Sequence, residues 1–127
     1  MATGCRGVPD VWSADQIDAL TETVVRRLLV EGGTARALAV EIADQLADQN
    51  SFLPALAVAL PFSLAAGGIE EMLGAGPQAC AAARDAWRVA ALIGGDALAL
   101  HAGKNSPATV ADLRAHWAMG DTVFSPV

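Results

Sequence analysis

Apolar residues return every three or four positions along most of this chain, the spacing of one face of an α-helix. Ile17, Leu20, Val24 and Leu28 form the first such series. Ser13-Ala-Asp-Gln16 opens it as a capping box, the serine covering a free N–H while the glutamine reaches back. Asp15, Asp18 and Glu22 sit near the positive end of this helix and Arg26 and Arg27 near its negative end, as the macrodipole favours. Gly32 supplies a stop. A second helix is predicted over 34–49, with Leu38, Ile42 and Leu46 as its stripe and Ala35, Ala39 and Ala43 widening it. Asn50-Ser51 breaks it.

From 51 to 69 the pattern changes, because no charge interrupts it. Pro54 fits a first helical turn. Pro61 removes a backbone donor and clashes with the preceding turn, so two short helices, 54–60 and 62–73, are expected there. A membrane-associated segment over 52–69 is an alternative. The two prolines, Gly67-Gly68 and the lack of flanking basic anchors weigh against it.

Gly76-Pro77 opens a fourth helix, and Ala79, Ala83, Ala86, Ala90 and Gly94 give it a smooth stripe that lets a neighbouring helix come close. Gly94-Gly95 is expected to kink or end it, with Asp96 capping a short continuation to His101. Asn105-Ser106-Pro107 signals the last helix, which carries Val110, Leu113 and Trp117 and stops at Gly120.

No run alternates at period two. The fold class expected is therefore all-α, a compact bundle of about five to six helices with two kinked or Gly-interrupted central helices. At 127 residues the chain makes a single helical domain spanning 1–127, with an extended leader over 1–12 and an extended tail over 121–127 docked by Phe124. Trp12 is expected to staple onto the first helix.

Composition narrows the function classes. Hydrophobic residues make up 54% of the chain and charged residues only 17%, which excludes intrinsic disorder. The net charge is −6 and the basic residues are scattered, with only Arg26 and Arg27 adjacent, so there is no footprint for nucleic acid or an anionic membrane. A helix-turn-helix reading of 41–60 fails for the same reason, since no basic residue occurs between 37 and 83. Met1–Trp12 has no apolar signal core, so a cytoplasmic location is expected, with Cys5 and Cys80 as free thiols.

Candidate chemistry is sparse. Asp112 and His116, four apart on the last helix, can meet as a carboxylate and an imidazole. No serine or cysteine is placed to act as nucleophile, so no catalytic residue is assigned. Gly103-Lys104-Asn105 lacks the glycine and hydroxyl spacing of a phosphate loop. Glu70-Glu71 has no Glu-x-x-His companion, and no metal site or cofactor is expected. Trp87, Asp96, His101 and His116 remain as candidate ligand-binding residues, grouped near the Gly94-Gly95 break.

The stretch Ala-Leu-Ala-Val-Ala-Leu-Pro over 55–61 and the ending Pro-Ala…Leu-Arg-Ala-His-Trp-Ala-Met-Gly-Asp over 107–121 resemble small Ala-rich bacterial helical proteins of unknown function, some of them associated with type VI secretion clusters. The resemblance carries over no residue. The function expected is that of a non-enzymatic interaction or accessory protein in a secretion-associated or other multi-protein system, with a protein partner or a homodimer. The apolar load of the third and fourth segments exceeds what a small bundle hides. A small-molecule-binding protein or enzyme with a pocket near Gly94-Gly95 is the alternative.

Overall fold

A computed structural model describes residues 13–72 and 76–119, and within them the protein is all-α. Five helices follow one another: α1 (Ala14–Leu29), α2 (Ala35–Asn50), α3 (Leu56–Glu70), α4 (Pro77–Lys104) and α5 (Val110–Met119). The expected leader over 1–12 with Trp12 and Cys5, and the expected tail with Gly120 and Phe124, lie outside the described residues.

The first two helices form where the pattern puts them. Ser13 Oγ accepts from the Gln16 N–H at 3.2 Å, and Leu20, Val24 and Leu28 are buried. The chain turns after Val30 through Gly32, whose φ of 74° belongs to the left-handed region that side chains avoid. Thr34 then caps α2 by accepting from the Ala37 N–H at 3.2 Å. A second cap arrives from a distant part of the chain. Asp85 of α4 accepts from the Ala35 N–H at 3.0 Å, placing a carboxylate at the positive end of α2.

The central segments differ from expectation. Pro61 is buried inside α3, which continues through it from Leu56 to Glu70. The proline removes the bond to the Ala57 carbonyl, and its burial beside the core residues Val58, Phe62 and Ala65 of the same helix offsets that cost. Pro54 is not in the first turn but precedes the helix, bridged to Thr109. Gly94-Gly95 likewise does not end α4, which runs 28 residues to Lys104 and closes at Asn105, φ 56°. Asp96 is therefore an interior helical residue and not a cap.

α3 and α4 form an antiparallel hairpin, the most extensive helix pair of the fold. Ala83, Ala86 and Ala90 of α4 and Ala65 and Ala66 of α3 are all buried. Small side chains at such a seam let two helix backbones approach closely. α1 lies against α3, and α2 touches every other helix. Phe62, Leu38, Ile42, Leu46 and Ile69 are the largest apolar residues at the centre of the core.

The last helix starts later than Pro107. Thr109 Oγ1 accepts from the Asp112 N–H at 3.2 Å, and Asp112 Oδ2 accepts from the Thr109 N–H at 2.9 Å, a reciprocal cap. Residues 108–111 instead pair with the turn before α3, with Pro54 and Thr109 forming an isolated antiparallel bridge. The N–H of Ala55 donates to Ala108 O at 3.0 Å, that of Val110 to Leu53 O at 2.8 Å and that of Ala111 to Ser51 O at 3.2 Å. This clasp ties the entry of α3 to the entry of α5.

No helix among the described residues is long and apolar enough to cross a membrane. At about 1.5 Å per residue, the 15 residues of α3 fall short of a hydrocarbon core about 30 Å thick.

Candidate functional site

The four candidate residues fall in three places. Asp96 and His116 come together. Asp96 is fully buried on α4, and its Oδ2 accepts from Trp117 Nε1 at 2.9 Å. His116 Nε2 lies 3.8 Å from Asp96 Oδ1, and its side chain is mostly covered. Trp117 is buried one position further along α5, so adjacent residues of that helix grip one carboxylate from two directions. Both oxygens of Asp96 thus face a nitrogen, which is how a carboxylate becomes tolerable inside a protein.

The expected Asp112–His116 contact is replaced. Asp112 forms its ion pair with Lys104 across the α4–α5 turn, leaving His116 to face Asp96. The Lys104 ammonium and the Thr109 N–H hold the Asp112 carboxyl below its ordinary value. Elsewhere Arg27 grips Glu41 with two hydrogen bonds, at 3.2 and 2.7 Å. The pairing lowers the Glu41 carboxyl and raises the guanidinium.

Trp87 stands apart from this cluster. It is 42% exposed, and its Nε1 donates to Glu70 Oε2 at 2.9 Å, linking the two helices of the hairpin at one end.

His101 belongs to a third place, at the other end of the hairpin. There a cavity of about 470 Å³ opens between residues 54–56, the α4 positions Ala91, Gly94, Ala97, Leu98 and His101, and residues 107–108. Its walls are almost wholly apolar, and no charged carboxylate, lysine or arginine lines it. A more open groove of about 520 Å³ runs between α2 and α5, crossed by the Arg114–Asp44 ion pair at 2.8 Å.

Large apolar side chains also stand in solvent. Leu56, Leu60 and Leu64 recur at i, i+4 and i+8 on α3 and are 57%, 36% and 45% exposed. Leu98, 74% exposed, and Trp87 extend the surface onto α4. The two rows are neighbours, because Leu56 shares the cavity wall with Ala91 and Leu98 while Glu70 reaches Trp87.

Trp117 is the residue that sequence reasoning leaves out of the candidate set, because an aromatic at helical spacing reads first as core. Its indole N–H, which needs an acceptor when buried, is the signal that points to Asp96. Among the described residues no three or more His, Cys, Asp or Glu side chains cluster as metal ligands. Cys80 is exposed near the start of α4. Comparison with protein families, with curated proteins and with solved structures gives no match.

Proposed function

We propose that this chain is a non-enzymatic helical interaction protein, working through protein–protein contacts, and that its first partner is a second copy of itself. The observation that carries the reading is the exposed row Leu56, Leu60 and Leu64 beside Trp87 and Leu98 on the α3·α4 face. Contiguous apolar surface of this kind marks contact sites more often than it occurs by chance. Six acidic residues lie on the other two helices of the N-terminal half. Asp15, Asp18, Glu22, Glu41, Asp44 and Asp48 are on α1 and α2, while α3 has no charged residue before Glu70. A second copy suits such a face because a two-fold contact brings one surface against itself. Here leucine ridges and the shallow stretch at Ala91 and Gly94 lie side by side.

Light scattering on the purified chain tests this. The expected mass is twice that of one chain at micromolar concentration, falling to one chain in Leu64→Glu with the helical circular dichroism retained. A wild-type chain that stays monomeric up to hundreds of micromolar removes the self-association reading.

A further inference from the structure

We propose that the cavity beside Gly94 is a binding site for a neutral, largely apolar small molecule about three rings in size, carrying one hydrogen-bonding group that meets His101. The site adjoins the association face proposed above and shares Leu56 and Leu98 with it.

Size is the first argument. The opening, about 470 Å³, lies within the range of roughly 300–1,000 Å³ typical of small-molecule clefts, with Ala55, Ala97 and Ala108 buried at its floor and Leu56, Leu98 and His101 exposed at its rim. Small residues keep it open: Ala91, Gly94 and Ala97 on α4 leave the space that larger side chains would fill. A Cβ built on Gly94 meets nothing within 4 Å.

The rim is fixed in advance. Three backbone hydrogen bonds of the clasp hold residues 51–55 beside 108–111, so two walls of the cavity cannot fold inward independently. Pro54 and Pro107 sit on that rim and have no N–H to offer. The helical wall is held by the uninterrupted α4.

Lining chemistry sets the ligand class. No charged side chain among the described residues lines the groove, so an ionised group laid there would find no counter-charge. Lys104, one turn beyond His101, is committed to Asp112. The imidazole of His101 is the one polar side chain on the wall. A ligand that matches this site has an apolar body and a single donor or acceptor at one edge, the usual pattern of small-molecule pockets.

N-phenyl-1-naphthylamine has three aromatic rings and one N–H, and it fluoresces when shielded from water. Titrated into the full chain, it is expected to bind saturably at one molecule per chain. Gly94→Leu, which fills the cavity, should weaken binding by at least about tenfold. Gly95→Leu is the matched control, because Gly95 does not line the cavity and its added Cβ also meets open space, so affinity should stay within about twofold. His101→Ala should cost about two- to tenfold, the worth of one hydrogen bond. Unsaturable binding, or a folded Gly94→Leu chain that binds as well as wild type, overturns the proposal. Unchanged affinity in His101→Ala overturns the hydrogen-bonding part. Leu64→Glu separates this site from the association surface: retained affinity supports the cavity, and loss together with the dimer places the dye at a seam between copies and refutes it.

Discussion

Burying a carboxylate costs several kcal/mol unless its oxygens are occupied, and the indole of Trp117 on α5 occupies one oxygen of Asp96. Trp117 donates to Oδ2 and His116 stands 3.8 Å from Oδ1. Asp96→Ala leaves the indole N–H without this acceptor in a dry environment. We expect it to lower unfolding free energy by about 2–3 kcal/mol in urea titrations. Asp96→Asn keeps an oxygen for the indole and should lose less. Equal stability of Asp96→Ala and wild type would show that the carboxylate does not hold α5. Sequence rules find the two titratable residues but not their meeting. The i, i+4 rule pairs His116 with Asp112, because it sees one helix at a time. The fold turns His116 toward α4 instead, and Asp112 goes to Lys104.

At the level of elements, the amphipathic helices are the legible ones. α1 and α2 carry a full stripe, a hydroxyl cap and a breaker, and each observed boundary lies within a residue or so of its signal. The central helices are less legible because Pro61 and Gly94-Gly95 are judged by local cost, while burial against a neighbouring helix repays it. Because α4 is helical through Gly95, Gly95→Ala removes a glycine entropy penalty without a clash. It should raise stability by about 0.5–1 kcal/mol. A loss of stability in thermal unfolding would mean that the glycine is needed for a bend. The cap of α5 is missed for a different reason: Asn105-Ser106-Pro107 is the stronger signal locally, yet those residues close α4 and enter the clasp. Thr109 and Asp112 do the capping. Because Lys104 and the Thr109 N–H depress the Asp112 carboxyl, its contribution to stability is present above the ordinary aspartate value of 3.8 and is lost as pH falls through the depressed one. In urea titrations against pH, wild type should exceed Asp112→Asn at neutral pH, and the gap should close below about pH 4. A gap that persists unchanged at acid pH would exclude the ion pair and cap as its origin.

Across the whole molecule, charge and apolar surface are segregated. Acidic side chains cluster on α1 and α2, and the α3·α4 hairpin presents leucines and a tryptophan. The excess of hydrophobic residues visible in the composition therefore divides in two. One part is core built from small residues, and the other is exposed surface. Composition cannot make that division, because it depends on which face of each central helix meets its neighbour. The row Leu56, Leu60 and Leu64 carries no charge, so contact through it has no ion pairs for salt to screen. The mass measured by light scattering should therefore hold or rise between low and high ionic strength, as self-repulsion of the acidic faces is damped. Dissociation by salt would point to a charged interface elsewhere.

The clasp between residues 51–55 and 108–111 bears on how the chain folds as it is made. Synthesis proceeds from the N-terminus at about 5–20 residues per second. α1 to α4 emerge before anything exists to pair with the Ala55 N–H or the Leu53 and Ser51 carbonyls, and before Trp117 can reach Asp96. The growing chain thus passes through a stage in which four helices are present but a buried acid and a row of backbone groups still face water. The closing step waits for α5. A chain truncated before Thr109 should be a loose, protease-sensitive bundle, and one truncated beyond the described helix α5 should be resistant.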